Sequence, residues 1–257
     1  MFREKLIGMD PRDIEGINAV MNRAVAYAGT AKAAVDIACH DILGKAAGLP
    51  LYKLLGGLSN TIETDMTVGI DTPELMAAAA KEHVAAGFRV IKTKVGTNIA
   101  DDIARVKAIR EAVGDDVKIR LDANQGWHAR EAVELLKRLN EYDIELVEQP
   151  VRRFDFEGLK YVTANSPVPV MADESCWDSK DALRLVSERA VDFINIKLMK
   201  CGGLWEAKKI VNIAEAAGVE IMLGCMAEES GIAIKQQRHW AQLSATSQEQ
   251  TWMQVSL

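Results

Sequence analysis

At 257 residues, 49% of them hydrophobic and 26% charged, the chain carries enough apolar material for one large α/β domain or two smaller ones, which excludes intrinsic disorder. A net charge of −6, with no run of Lys/Arg longer than a pair, gives no electrostatic basis for a nucleic-acid or anionic-membrane surface, so small molecules are the expected partners. The four cysteines (Cys39, Cys176, Cys201, Cys225) form no C-x-x-C pair, no apolar run reaches membrane-span length and "MFREKLIGMD" lacks a signal-peptide core, which together predict free thiols in a soluble, cytoplasmic protein.

Residues 11–47 are helical in pattern, and "AKAAVDIACHDILGKAAG" places Ala34, Ile37, Ala38, Asp41 and Ile42 on adjoining turns before Gly44 and Gly48 end the segment. "GLPLYKLLGG" follows as a connector. From about residue 61 short β-branched runs alternate with amphipathic helices such as "TPELMAAAAKEHVAAG" and "IADDIARVKAIREAVG". Seven strands are predicted: "ETDMTVGI", "RVIKTKVG", "VKIRLDAN", "IELVEQP", "PVMADES", "VDFINIKL" and "VEIMLGC". Strand alternating with helix implies right-handed βαβ units and a parallel sheet.

Five of these strands end in a charged residue at nearly constant spacing. Lys94 to Asp122 is 28 residues, Asp122 to Glu148 is 26, Glu148 to Asp173 is 25 and Asp173 to Lys197 is 24. Such a period fits a TIM-type barrel, whose site gathers side chains from the C-terminal ends of many strands. A doubly wound sheet would need a G-x-G-x-x-G after a strand, and none is present. With "ETDMTVGI" as the first strand, Lys94 and Lys197 end strands four apart, which face each other across an eight-stranded barrel. Asp122, Glu148 and Asp173 lie on the arc between them. Three clustered carboxylates repel one another unless a cation holds them, and oxygen-only ligation suits Mg²⁺ or Mn²⁺. A metal with two amines on opposite faces suits removal of a proton α to a carboxylate and its return on either face, through an enediolate that the metal would stabilise. Lys92 shares the face of Lys94; it is expected to depress the pKa of Lys94 and to offer a cation to the substrate carboxylate.

The motifs "KTK", "LDANQGW", "VEQP", "ADES" and "NIKLMKCGG" resemble the enolase superfamily in its muconate-lactonising subgroup, and within it the dipeptide epimerases of the L-Ala-D/L-Glu type, over residues 8–233. The resemblance implies that Lys94 and Lys197 are the acid/base pair and that Asp122, Glu148 and Asp173 are Mg²⁺ ligands; a Lys base with Mg²⁺ stabilising an ene-diolate is a general feature of that superfamily. Asn124 and Asn195, each two residues from one of these groups, are candidates for contact with the ligand or support of the site. Glu174 could orient a lysine, Thr67 could hydrogen-bond the substrate, and Glu228 could reach the mouth. His40, His83, His128 and His239 form no spaced cluster and are read as structural or exposed.

The expected organisation is a helical remnant of an α+β capping domain over residues 1–60, an incomplete (β/α) barrel of about seven βα units over 61–233, and a tail over 234–257 outside the family pattern. No eighth strand is recognisable in the glutamine-rich tail, so strands 1 and 7 are expected to carry unpaired edges. In the family resembled, that strand supplies an Asp-x-Asp pair for the substrate ammonium. Codons compatible with the tail allow Arg-Thr-Asp-Leu-Asp-Ala in a shifted frame, which predicts a frame shift near residues 233–235 and a chain that is inactive or poorly folded. Muconate cycloisomerase or o-succinylbenzoate synthase chemistry would use the same metal and lysines, whereas a Schiff-base aldolase would use Lys197 as nucleophile. A small carboxylate substrate, a dipeptide in the leading case, is expected, and a homo-oligomer is compatible with the sequence.

Overall fold

A computed structural model of the chain describes residues 1–57 and 63–226 in full and residues 252–255 as a backbone strand. Four helices come first: α1 (Phe2–Leu6), α2 (Ile14–Ala24), α3 (Gly29–Ala47) and α4 (Leu51–Leu54). The carboxylate of Asp13 accepts the Gly16 N–H to start α2, and Gly48 ends α3 in the left-handed conformation that a glycine adopts without Cβ strain. The predicted helical stretch 11–47 is therefore broken, and Tyr27 and Ala28 make the break at φ +60° and +53°. The buried face of α3 also differs from the expected one. Lys32, Ala33, Asp36, Ile37 and His40 point inward, whereas Ala34, Ala38 and Ile42 are exposed. The polar members of that face are buried because they meet hydrogen-bond partners, Lys32 and Asp36 on other elements and His40 on Asp36, which a count of apolar residues cannot register.

The rest alternates strand and helix. In order come β1 (Glu63–Val68), α5 (Pro73–Ala85), β2 (Val90–Lys94), α6 (Ile99–Val113), β3 (Lys118–Asp122), α7 (Ala129–Leu139), β4 (Ile144–Glu148), α8 (Phe156–Asn165), β5 (Val170–Ala172), α9 (Ser179–Ser187) and β6 (Phe193–Ile196). Then follow α10 (Leu198–Cys201), α11 (Leu204–Ala216), β7 (Glu220–Leu223) and β8 (Trp252–Val255). Helix starts are written in the sequence: Thr72 before Pro73, Asn98, Asp155 and Asp178 each accept a backbone N–H of the first turn. All strand pairings are parallel, and the ring closes in chain order from β1 to β8.

Closure corrects one expectation. Four residues of the tail, Trp252–Val255, pair with Glu63–Met66 of β1 on one side and with Met222 and Leu223 of β7 on the other, so the edges expected to be open are covered. "WMQV" carries no acidic residue and no turn signal before it, which is why its role as a strand is not legible in the composition of the tail.

Side-chain alternation divides the barrel into two cores. Outward residues such as Ile91, Leu121, Val147 and Ile194 join the large cluster under the helices. Val90, Leu146, Met171 and Met222 form a small apolar plug inside the barrel. Towards the C-terminal end of the strands the interior turns charged, with Asp65, Lys92, Arg120, Asp122, Glu148 and Asn195 all essentially inaccessible to solvent. All four cysteines are free thiols, three of them buried and Cys201 partly so. No described helix is long and apolar enough to cross a membrane.

Candidate functional site

Strand register sets the first part of the site. Lys94 lies level with Asp122, and Asp122 level with Glu148, so three neighbouring strands present their last side chains in one row. Asp173 and Lys197 follow directly on the last residues of β5 and β6. In an eight-stranded ring β2 and β6 are opposite, which puts Lys94 and Lys197 on facing walls of the mouth.

The lysines sort into two kinds. Lys94 and Lys197 reach the mouth, with side chains 28% and 12% exposed. The Lys94 ammonium donates to Asp122 Oδ2 and Asn124 Oδ1, both at 2.7 Å, and the Lys197 ammonium donates to Asp173 Oδ2 at 2.6 Å. Lys92 and Lys200 are buried beneath. Lys92 donates to Glu148 Oε2 and lies 3.0 Å from Asp122 Oδ2. It is thus paired with two carboxylates inside the barrel, beneath the row of strand-end side chains. Its ammonium is held charged: burial opposes the proton, but Asp122, Glu148 and Asp65 outweigh it and raise the pKa.

The carboxylates diverge electrostatically. Burial, reinforced by the charge of Asp122, pushes Glu148 up to about 7 against the pull of Lys92. Asp122 is also buried, but Lys92 and Lys94 together hold its pKa below the ordinary value. Burial likewise disfavours the Asp173 carboxylate, and Lys200 and Lys197 overcome it. For Lys197 the loss of hydration is outweighed by Asp173 and Glu148, so its pKa is raised. Among the described residues no three His, Cys, Asp or Glu side chains converge as a ready-made cation cage, because ammonium groups lie between the carboxylates. Burial raises Glu148 and the charge of Asp122 adds to it, and in an all-oxygen set a divalent cation such as Mg²⁺ would offset both.

Asn195, Asn124 and Glu174 fall close by. Asn195 donates from Nδ2 to Glu148 Oε1 at 2.7 Å, and it needs glycine opposite, since a Cβ at Gly224 would lie 2.4 Å from Asn195 Oδ1. Asn124 donates its backbone N–H to Asp122 Oδ1 at 3.1 Å and its amide to Glu174 Oε1 at 3.3 Å, so Glu174 is linked to Lys94 through Asn124. Thr67 lies in β1, level with Lys92 of β2. Glu228 lies outside the described residues, as does the proposed junction at 233–235.

Several contributors escaped the sequence reading. Gln149, at φ +39°, uses its whole amide: Oε1 accepts the N–H groups of Asp173 and Ser175, both at 3.0 Å, and Nε2 donates to Val151 O and Ser175 Oγ. Asn124 and Gln125 are also left-handed, at φ +41° and +69°, so backbone strain gathers at the ends of β3 and β4. Arg120 extends the charged interior downwards to Asp65 at 3.1 Å and to Glu145 at 2.5 Å. Lys200, in the quoted "NIKLMKCGG", was signalled only by its spacing of three residues from Lys197.

A closed parallel barrel whose mouth holds two opposed lysines and an arc of carboxylates defines a class of α/β-barrel proteins built for chemistry beside an acid group. The family described as enolase C-terminal domain-like matches residues 75–256, and the mandelate racemase / muconate lactonizing enzyme N-terminal domain matches residues 2–56. The chain belongs to this mandelate racemase / muconate lactonizing enzyme branch of the enolase superfamily. It is 57% identical over 241 residues to a hydrophobic dipeptide epimerase of Enterococcus faecalis, covering 94% of this chain and 68% of that protein. It is 49% identical over 229 residues to an L-Ala-D/L-Glu epimerase of Clostridium acetobutylicum, covering 88% of this chain and 64% of that one. The crystal structure of the Enterococcus faecalis V583 dipeptide epimerase, complexed with Mg and the dipeptide L-Leu-L-Tyr, superposes with a TM-score of 0.94 at 55% identity, over 98% of this chain and 71% of that one. The chain therefore spans roughly two thirds of the length of these curated relatives.

Proposed function

We propose that the chain is an isomerase that epimerises a dipeptide by taking the proton α to its carboxylate and returning it from the opposite side. The observation that carries this reading is the pair of partly exposed lysines, Lys94 and Lys197, on facing strands with three buried carboxylates on the arc between them. Each lysine has one face of the substrate carbon: one accepts the proton as the other delivers one, and inversion follows from their opposition. Lys92 takes no proton in this scheme; it neutralises Glu148 and Asp122 from below and keeps the barrel interior intact. Asp122, Glu148 and Asp173 would hold Mg²⁺, which when bound supplies positive charge for the negative charge growing on the substrate carboxylate. Asp122 and Asp173 also hold the Lys94 and Lys197 ammonium groups, so those ion pairs would have to open before either amine could take a proton. The choice of a dipeptide rests on what the relatives are named for.

The test is exchange of the α-proton in D₂O, followed by NMR over a panel of dipeptides. The unaltered chain with Mg²⁺ should exchange and invert at least one of them. Lys94→Ala and Lys197→Ala should each abolish inversion, with one variant still exchanging the proton of a single stereoisomer. Full racemising activity in both variants would remove the two-lysine reading, and trapping of a substrate on Lys197 by borohydride would replace it with Schiff-base chemistry.

A further inference from the structure

Among the lysines of the site, Lys200, buried beneath the mouth, has no part in the chemistry proposed above, yet its surroundings are closely specified. It sits on α10, the single turn after β6, and is 5% exposed. An ammonium has three N–H donors. Lys200 spends one on each of three acceptors: Asp173 Oδ1 and Asp173 O, both at 2.5 Å, and Asn195 O at 3.0 Å. This tripod ties the end of β5 to β6. It also takes hold of Asp173 at both backbone and side chain, while Gln149 Oε1 accepts the Asp173 N–H from the other side at 3.0 Å. The carboxyl group cannot turn without breaking a contact, and its two oxygens are no longer equivalent. Oδ1 faces Lys200 in the interior, and Oδ2 faces Lys197 at the mouth.

We propose that Lys200 is a positioning residue that commits Oδ1 of Asp173 to the interior, so that Asp173 offers a single oxygen, Oδ2, to whatever occupies the mouth. Two consequences follow for a cation there. It would find one oxygen of Asp173 free of Lys200, and that oxygen is the one Lys197 holds, so cation binding and release of the Lys197 amine would share one atom. A mere counter-charge would do something different: removing it would relieve repulsion of a nearby cation and tighten binding. Removing a positioning group loosens the ligand it orients, which ordinarily weakens metal affinity by about 10–100-fold.

The inference rests on the reading of Asp173 as a cation ligand, and the experiment separates the two. Mg²⁺ is titrated calorimetrically into the full chain and into Lys200→Met, with thermal melts to establish that the variant is folded, and the crystal structure of the variant is determined without metal. We expect Mg²⁺ affinity to fall by about tenfold or more, with Asp173 turned so that both oxygens reach the mouth. Unchanged or tighter binding by a folded Lys200→Met would overturn the proposal. Should that variant fail to fold, Lys200→Arg keeps the charge without the three-point fit; a comparable loss of affinity supports positioning, and wild-type affinity shows that charge alone suffices and overturns it. If the unaltered chain binds no Mg²⁺, the ligand reading falls, and the clamp is judged on the variant's structure: a turned Asp173 supports it and an unmoved one refutes it.

Discussion

At the scale of single residues, position on a strand and depth in the barrel decide what each charge can do. Lys92 and Lys94 share a strand face two residues apart, but the deeper one is sealed by Glu148 and Asp122 while the other reaches the mouth. The five strand-end charges were legible because each follows an apolar run and the βα repeat sets their spacing. Lys200, Gln149 and Arg120 were not, because their meaning lies in partners on other elements and they form no periodic pattern. Glu148 shows how the residue scale can be tested. Burial and Asp122 hold it up to about 7, so near neutral pH its charged and protonated forms have similar free energies, and Glu148→Gln imitates the protonated form at nearly the same volume. Lys92 keeps Asp122 as a partner. Glu148→Gln should therefore leave the thermal midpoint within a few degrees of wild type and weaken Mg²⁺ binding by about tenfold, roughly 1.4 kcal/mol. Calorimetry showing wild-type affinity would remove Glu148 from the ligand set.

At the scale of elements, α3 joins the N-terminal helices to the barrel through one buried carboxylate. Asp36 Oδ2 accepts the backbone N–H of Leu204 at 2.6 Å, at the start of α11, and lies 3.2 Å from His40 Nδ1. Its Oδ1 accepts from Asn18 Nδ2 of α2 at 2.8 Å. Gly203 is required beside it, since a Cβ there would lie 2.3 Å from Asp36 Oδ2. One side chain therefore caps a barrel helix and pins two others. The helical pattern alone pointed to a different face of α3, because it weighs apolar side chains and this face is held by polar ones. Asp36→Ala would leave the Leu204 N–H and the Asn18 amide buried without that acceptor, a cost of roughly 3 kcal/mol. For a chain of this size that lowers the melting midpoint by roughly 6–12 °C. A midpoint within about 1–2 °C of wild type would mean that the Asp36 carboxylate contributes nothing to holding the two helical layers together.

At the scale of the whole molecule, alternation of strand and helix made the barrel legible, whereas its closure was not. β1 to β7 announce themselves by β-branched runs, and helices follow β1 to β6. β8 is four residues of a polar tail that become a strand by lying between β7 and β1, a case of tertiary context overriding local preference. Its pairing covers two edges that would otherwise present unpaired N–H and C=O groups to solvent and to other chains. The effect of removing it follows from parallel-barrel geometry. Ending the chain after residue 251 takes away the ladder to Glu63–Met66 and to Met222–Leu223, and leaves β1 and β7 as open neighbours across a gap one strand wide. The lysines and carboxylates of the candidate site lie on or directly after β2 to β6, away from that gap, so the truncated chain should retain whatever Mg²⁺ affinity the full chain has while losing stability and solubility. The expected result is a lower thermal midpoint and concentration-dependent aggregation in light scattering, with the calorimetric Mg²⁺ constant within about twofold of the full chain. If the truncated protein melts like the full chain and stays monodisperse, β8 contributes nothing to closing the barrel; if it keeps its fold but loses Mg²⁺, the closing strand governs the site as well as the edges.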